Sequence, residues 1–263
     1  MSHRAGVLAI AACCVAGSSG PAFPALHAFL ARPAHTALSA VPAFPAVPAP
    51  PARLWAQGAP AKQKARLFSA LDLGLLEAPD REQWQKPNLI MDELRIAEGS
   101  VVADLGAGGG WFTIRLARRV GPNGLVYAED IQPQMIDATR RRAQHERLTN
   151  VRTVLGTPSD PRLPRKIDAV LIVDAYHEIE DPIVLLKNVK RSLNPQGRVG
   201  VVGFLPGRGG PGPAPEERVD SDTVVKAAEA ADLTLQARVA VPPFQFLLVF
   251  GAAAPPRPLP SKR

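Results

Sequence analysis

The chain has 263 residues, and 46% of them are hydrophobic, which is enough apolar side chain for a sizeable core and excludes wholesale disorder. The formal net charge is +7, yet six of the 31 basic residues precede the first acidic residue, Asp72, and three follow Gly251. Residues 72–250 therefore hold 22 basic and 24 acidic side chains, without the basic surplus that is typical of nucleic-acid-binding proteins.

The N-terminus has the features of an export signal. A short basic start precedes an apolar run over residues 5–16, which suits the core of a signal peptide and is too short to span a membrane. The letters IAAC, which end at Cys13, resemble a bacterial lipoprotein cleavage box. We therefore predict a signal or lipoprotein leader over residues 1–19, with periplasmic export or a membrane tether through the N-terminus. The alternative is a disordered start of a cytoplasmic protein.

Proline and alanine dominate the next segment, where 9 Pro and 14 Ala fall between positions 21 and 61. Proline at this density removes backbone donors and blocks helix interiors. We predict a disordered linker over residues 20–61, a folded domain over residues 62–251 and a disordered basic tail over residues 252–263.

Within the folded domain, short apolar runs alternate with amphipathic stretches. Helices are predicted for residues 62–76, 87–98, 111–120, 133–148, 181–193 and 222–231. Strands are predicted for residues 100–105, 125–130, 151–155, 167–174, 198–204, 233–241 and 244–250. This alternation indicates a parallel sheet covered on both faces, whereas the junction at Pro242-Pro243 is too short for a crossover. The predicted fold is α/β, a doubly wound and mostly parallel seven-stranded sheet that ends in an antiparallel β-hairpin.

The strongest motif is DLGAGGGW, from Asp104 to Trp111, between the first strand and the following helix. In a doubly wound sheet this loop faces the ligand. The dinucleotide fingerprint, started at Gly106, needs a small residue at position 111, and a Walker loop needs a Lys after its glycines; neither condition is met. An acidic residue that ends a strand and is followed by G-x-G-x-G resembles the first motif of class I S-adenosylmethionine-dependent methyltransferases, and the resemblance extends over about residues 84–250.

The resemblance implies a Rossmann-like methyltransferase fold with S-adenosylmethionine as its cofactor. It places Gly106, Ala107, Gly108 and Gly110 under the cofactor. It also places Asp104 near the methionine end of the cofactor, where a carboxylate meets an ammonium group. No metal is expected.

Further acidic residues follow from the same resemblance. The acid that ends the second strand accepts the ribose hydroxyls; we favour Asp130, followed by Ile131, and expect Glu129 to face solvent because neighbouring strand residues point to opposite faces. Asp160 is expected on the adenine side, and Asp174, which ends the fourth strand, near the cofactor.

The acceptor site is expected after the fourth strand. Tyr176 and His177 are the candidates for shaping it, and an imidazole pKa near neutrality suits His177 as a general base. The alternative is that His177 and Glu178 cap and solvate the next helix.

Two other segments are candidates for enclosing the acceptor. Residues 82–86, which include Trp84, precede the core and form either a lid or an ordinary packing contact. The glycine-rich loop over residues 206–212 lies at the same edge of the sheet, where Arg208 is available for an anionic substrate.

Absent motifs narrow the acceptor class. The folded domain has no cysteine for arsenite chemistry, no Asn/Asp-Pro-Pro-aromatic motif of amino-methylating nucleic-acid enzymes, and no paired-glutamate loop of arginine methyltransferases. The sequence therefore predicts methyl transfer to a small-molecule or lipid-like acceptor at O, C or N, without a nucleic-acid partner. The alternatives are a non-catalytic module that binds S-adenosylmethionine or S-adenosylhomocysteine, and an NAD-type oxidoreductase.

Overall fold

The structure, a computed structural model, describes residues 67–164 and 166–252. The leader predicted for residues 1–19 and the linker predicted for residues 20–61 lie outside the described residues, as does all but the first residue of the predicted tail. No helix in the described part of the chain is long and apolar enough to cross a membrane.

Seven strands form one sheet flanked by six helices in the described residues. The strands are β1 (Val101–Leu105), β2 (Leu125–Asp130), β3 (Val151–Leu155), β4 (Ile167–Val173), β5 (Leu193–Phe204), β6 (Leu233–Val241) and β7 (Gln245–Ala252). The α-helices are α1 (Arg81–Gln85), α2 (Pro87–Glu93), α3 (Trp111–Val120), α4 (Pro133–His145), α5 (Pro182–Ser192) and α6 (Ser221–Ala230). Short 3-10 helices cover Ala70–Leu76, Tyr176–Glu178 and Pro215–Glu217.

The strand order is β3-β2-β1-β4-β5-β7-β6, parallel from β3 to β5 and antiparallel for β7 against both of its neighbours. The predicted doubly wound sheet with a terminal hairpin is therefore confirmed. Strand β1 lies between β2 and β4 and is parallel to both. The carboxyl ends of the three strands therefore lie at the same edge of the sheet, and the segment after β1 crosses that edge.

Each face of the sheet carries its own hydrophobic core. One core joins Ile90 of α2 and Leu116 of α3 to Val102 of β1, and the other joins Leu186 of α5 and Val224 of α6 to the opposite face. Strands buried on both faces explain the uninterrupted apolar runs in the sequence.

The segment before the sheet departs from the prediction. Instead of an amphipathic helix over residues 62–76, the described part forms a 3-10 helix over Ala70–Leu76, in which Leu71 is 95% exposed. A 3-10 helix has three residues per turn, so leucines spaced by four do not share a face. Helix α1 was not predicted, and β5 begins at Leu193, five positions earlier than the predicted 198.

Candidate functional site

A cavity of about 650 Å³ opens at the carboxyl ends of β1, β2, β4 and β5. Its floor is the glycine loop after β1, which is the place expected for a ligand in a doubly wound sheet. The wall on the β2 side includes Glu129, Asp130, Ile131 and Gln132, together with Thr157 and Pro158 after β3. The other side includes Asp174, His177, Glu178 and Phe204. The cavity is large enough for a nucleoside-sized ligand and a second small molecule.

The glycine loop takes its shape from left-handed backbone and from contacts with β2 and α4. Gly106 has φ 70°, and a Cβ there would lie 2.6 Å from the Cβ of Ala175. The amide of Ala107 donates to the carbonyl of Glu129 at 2.9 Å, and the hydroxyl of Thr139 donates to the carbonyl of Gly108 at 2.7 Å. The loop is thus fixed in place, and its surface toward the cavity carries almost no side chain.

Asp104 is the polar residue of β1. It lies beneath this loop and lines the cavity. Its carboxylate accepts a hydrogen bond from the hydroxyl of Thr113 at 2.6 Å. Burial raises the pKa of Asp104 to about 6, although Thr113 and the charge of Arg81 oppose that shift. A positively charged ligand group above Asp104 would favour its ionised form.

Both acids at the end of β2 line the cavity. Asp130 accepts from the amide of Gly108 at 3.0 Å and from the amide of Gln132 at 2.9 Å, so it ties β2 to the glycine loop. Glu129 does not face solvent as predicted: its side chain is 3% exposed, and a Cβ on Gly156 would overlap its carboxylate. Both residues lie within β2, where Glu129 pairs with Val154 and Asp130 with Leu155 of β3, and both nevertheless line the cavity at this edge of the sheet.

The carboxyl group of Glu129 holds its proton more tightly than an exposed glutamic acid does. Burial, followed by the neighbouring charge of Asp130, raises the pKa of Glu129 to about 8. Burial also raises the pKa of Asp130, against its hydrogen bonds from backbone amides. Buried carboxyl groups such as these bind hydroxyl and cationic groups of a ligand, and their negative charge repels phosphates.

Asp160 lies outside the cavity wall. It is exposed, and its carboxylate accepts from the amide of Arg162 at 2.8 Å. The residues of this loop that line the cavity are Thr157 and Pro158, three and two positions earlier. The structure therefore brings the predicted adenine-side loop to the site but not the carboxylate chosen from it.

Asp174 closes a buried polar ring that sequence reasoning missed. Its Oδ1 accepts from Gln245 at 2.6 Å, Gln245 accepts from Gln85 at 2.8 Å, and Gln85 accepts from Arg81 at 3.0 Å. Arg81 Nη2 returns to within 3.8 Å of Asp174 Oδ2. Burial raises the pKa of Asp174 to about 7, and the charge of Arg81 opposes the shift most strongly.

Trp111, the bulky residue at the start of α3, lies between two guanidinium groups. The ring centroid is 3.4 Å from Cζ of Arg115 and 4.3 Å from Cζ of Arg81. Trp111 also lines the cavity, so its position beside the glycine loop is filled by a cation–π stack. A small residue here, as in a dinucleotide site, would leave Arg81 without this contact.

The two residues predicted for the acceptor side lie in different environments. His177 lines the cavity, and burial lowers its pKa while the charge of Glu217 acts in the opposite direction. Tyr176 does not line the cavity; it belongs to the hydrophobic core under α5 and α6, and its hydroxyl has no hydrogen-bond partner among the described residues. Helix α5 is capped by Asp181, which accepts from the amide of Val184 at 3.2 Å, so capping does not account for His177.

Glu178 belongs to the site as well. It lines the cavity, and burial raises its pKa to about 7. Its Oε2 accepts from the amide of Phe68 at 3.0 Å, and its Oε1 lies 3.8 Å from Nε2 of His177. Glu178 thus faces both the acceptor side of the cavity and the segment that covers it.

That cover segment, residues 67–78, lies over the cavity and takes the place expected for residues 82–86. The carbonyl of Phe68 accepts from Gln132 at 2.9 Å, and Glu77 pairs with Arg142 of α4. Leu73 and Leu76 lie against the glycine loop. The cover segment therefore restricts access of water to the glycine loop.

Of the two side chains predicted to enclose the acceptor, Trp84 lines the cavity and Arg208 does not. Trp84 lines the cavity and packs against Phe204 and Phe244, with ring centroids 5.9 and 6.5 Å apart, so it combines a wall position with ordinary packing. The loop after β5 reaches the cavity through Pro211, Gly212, Pro213 and Ala214. Arg208 is exposed and does not line the cavity.

Comparison with known proteins identifies relatives of this chain. Residues 102–197 match a family model described as "Methyltransferase domain". The chain is 37% identical over 127 residues to an uncharacterized methyltransferase of Mycobacterium bovis, covering 48% of each protein. It is 28% identical over 118 residues to a demethylmenaquinone methyltransferase of a Geobacillus strain, covering 44% of this chain and 50% of the relative. The chain thus spans about half the length of the curated relatives it matches.

Among solved structures, a SAM-dependent methyltransferase from Aquifex aeolicus is similar with a TM-score of 0.67 and 25% identity, covering 70% of this chain and 98% of that one. A geranyl diphosphate C-methyltransferase from Streptomyces coelicolor, solved with S-adenosyl-L-homocysteine, has a TM-score of 0.56 at 17% identity, covering 71% and 85%. The second likeness concerns the fold alone.

Proposed function

We propose that this chain, whose folded domain belongs to the class I S-adenosylmethionine-dependent methyltransferases, transfers a methyl group from S-adenosylmethionine to a small-molecule acceptor. One observation carries the proposal. Three buried carboxyl groups, those of Asp104, Glu129 and Asp130, surround a glycine loop whose surface is bare backbone.

The described residues fit this cofactor by charge and shape. Its ammonium and sulfonium groups are cationic and its ribose carries two hydroxyls, all of which carboxylates bind well. A dinucleotide would instead bring a pyrophosphate beside Asp104 and Asp130, where like charges repel. The same loop also has Trp111 where a dinucleotide fold needs a small residue.

In the proposed reaction the bound cofactor supplies a methyl group on sulfur, with a good leaving group already in place. The chain supplies alignment and exclusion of water. Asp130 and the amide of Gly108 hold the loop on which the nucleoside lies, and the cover segment limits the entry of solvent. If the acceptor loses a proton, His177 is placed to accept it, since burial lowers its pKa and keeps the imidazole neutral at pH 7.

The names of the relatives support a small acceptor. One is a demethylmenaquinone methyltransferase, and another, 31% identical over 118 residues and covering 44% of this chain and 42% of the relative, is a nocamycin O-methyltransferase of Saccharothrix syringae. Both support the expectation of a small-molecule or lipid-like acceptor. An acidic cavity also supports the absence of a nucleic-acid partner, because phosphates would be repelled from it.

Export is a separate proposal, which rests on the sequence of residues 1–19 alone. Mass spectrometry of the protein from cell fractions tests it: a mature N-terminus near Cys13 in the periplasmic or membrane fraction supports export, and an intact Met1 in the cytosol contradicts it.

Calorimetric titration of the full chain with S-adenosylmethionine, S-adenosylhomocysteine and NADH tests the cofactor assignment. We expect both adenosyl compounds to bind and NADH not to bind. Asp130→Ala removes the tie between β2 and the glycine loop, so both affinities should fall at least tenfold, which corresponds to about 1.4 kcal/mol. Binding of NADH alone would overturn the proposal. Binding without methyl transfer to any acceptor would favour the non-catalytic alternative.

A further inference from the structure

The cavity divides into two halves along the strand order. The glycine loop and the β2 acids occupy the half over β1 and β2, which the cofactor takes under the proposed function. The remaining space lies over the ends of β4 and β5. We define this acceptor half by five lining residues: Trp84, His177, Glu178, Phe204 and Glu217.

The charges around the whole cavity are strongly unequal. Among the described residues that line it, nine are Asp or Glu, and Arg81 is the one Lys or Arg. The guanidinium of Arg81 is already engaged, because it donates to Gln85 and to the carbonyl of Leu76 and pairs with Asp174. Burial raises the pKa of Glu178 to about 7, so a cationic acceptor would favour its ionised form, whereas an anionic acceptor would find no free cation among these lining residues.

The acceptor half also offers an aromatic wall. Trp84 and Phe204 both line it, with ring centroids 5.9 Å apart. Aromatic faces attract cationic groups and add to the effect of a nearby carboxylate. Glu178, which also lines the cavity, supplies that carboxylate. Phe68 donates to its Oε2, whereas its Oε1 lies 3.8 Å from Nε2 of His177 and accepts no hydrogen bond among the described residues.

From this arrangement, which rests on the proposed function, we propose that the methyl acceptor is an amine, held by Glu178 and the Trp84–Phe204 wall. The amine enters as an ammonium ion and gives one proton to Nε2 of His177 or to Glu178, which frees its lone pair. The nitrogen then forms a bond to the methyl carbon as the carbon–sulfur bond breaks, and the sulfur keeps that electron pair. The product is a methylated ammonium ion beside a neutral thioether.

Charge distinguishes an amine from acidic oxygen acceptors. A phenol or a carboxylic acid reacts as an anion, whose charge would develop next to Glu178 and Glu217 and be destabilised by them. An amine reacts as a neutral nucleophile and leaves as a cation, which the same carboxylates stabilise.

The test compares matched ligands on the full-length protein saturated with S-adenosylhomocysteine. Three series, phenethyl, cyclohexylmethyl and hexyl, each carry an amine, an alcohol or a carboxylate at the same position, and binding is measured by calorimetry. We expect the amine of at least one series to bind at least tenfold more tightly than its alcohol, with no detectable binding of the carboxylates. Alcohols or carboxylates that bind as tightly as the amines, or amines that do not bind, would overturn the inference.

Glu178→Gln is the matching variant, because glutamine keeps an oxygen that can accept from the amide of Phe68 and removes only the charge. We expect its affinity for amines to fall at least tenfold while its affinity for alcohols and for S-adenosylhomocysteine is unchanged. Glu229→Gln, an exposed acid on α6, serves as the control and should change neither. If the wild-type protein does not bind S-adenosylhomocysteine, the proposed function is refuted. If Glu178→Gln binds amines as tightly as the wild type does, this inference alone is refuted.

Discussion

The guanidinium of Arg81, on α1, lies 3.8 Å from the carboxylate of Asp174, at the end of β4, and both side chains are mostly buried. Gln85 and Gln245 complete the ring between them, so one polar network joins α1, β4 and the terminal hairpin. The position of α1, and of Trp84 within it, is thereby fixed to the sheet. The acceptor half of the cavity depends on this network for its shape.

Replacing Arg81 with methionine should destabilise the protein by roughly 3 kcal/mol, since it leaves the buried carboxyl of Asp174 without its cation. Urea denaturation at pH 7.5 measures the change. Arg140→Met removes an exposed partner of Asp137 on α4 and should cost less than about 1 kcal/mol. Equal losses in the two variants would show that the ring contributes nothing beyond a surface ion pair.

Stability without a ligand should fall as pH rises. The pKa of Glu129 is raised from 4.5 to about 8 by burial, so the folded state binds this proton more tightly than the unfolded state does. The stabilisation is complete below pH 4.5 and is lost as pH rises to about 8. Asp174, with a pKa of about 7, acts in the same direction.

Glu129→Gln isolates this effect, because glutamine does not titrate. Between pH 5.5 and 8.5 the free energy of unfolding of the variant should decline by roughly 3 kcal/mol less than that of the wild type. Denaturant titrations at the two pH values measure it, with Glu229→Gln as the control. A pH dependence that is unchanged in Glu129→Gln would contradict the assignment of this proton.

Gly108→Val should abolish binding of S-adenosylmethionine. Gly108 has φ 55°, so a valine there costs about 1–2 kcal/mol of backbone strain and places its side chain between the loop and Leu76, inside the cavity. Gly209 is exposed, does not line the cavity, and has open space around its Cβ position and no positive φ, so Gly209→Val should leave binding unchanged. Calorimetry measures binding, and circular dichroism checks that both variants are folded. Normal affinity in Gly108→Val would show that the cofactor does not lie on this loop.

Release of the cover segment should speed cofactor dissociation. Arg142 pairs with Glu77 of that segment and also donates to the carbonyl of Gly109 at 3.3 Å. Because the pair is partly exposed, Arg142→Met should raise the dissociation rate of S-adenosylhomocysteine only about two- to fivefold. Stopped-flow displacement measures the rate, and Arg141→Met, on the exposed side of the same helix, should leave it unchanged. A rate that is also unchanged in Arg142→Met would mean that the cover segment is held by its other contacts.

The sheet and the glycine loop at its edge could be predicted from the sequence. The uninterrupted apolar runs of β1 and β4 and the short junction at Pro242-Pro243 follow from local chemistry: burial on both faces and the minimum length of a crossover. The glycines after Asp104 likewise carry their own signal, because only glycine adopts such backbone without strain.

The set of side chains that meet at the site could not be predicted from the sequence, because it depends on contacts between distant segments. Arg81 and Gln85 of α1 meet Asp174 and Gln245, which lie far from them in the chain. No periodicity in the sequence marks a polar residue that is buried because a distant partner satisfies it. The burial of Glu129, the exposure of Asp160 and the placement of Tyr176 in the core likewise depend on how loops pack against the ends of the strands. The local sequence pattern specifies helices and strands. The charge and shape of a cavity arise from contacts between segments that are distant in the sequence, and a local pattern does not encode those contacts.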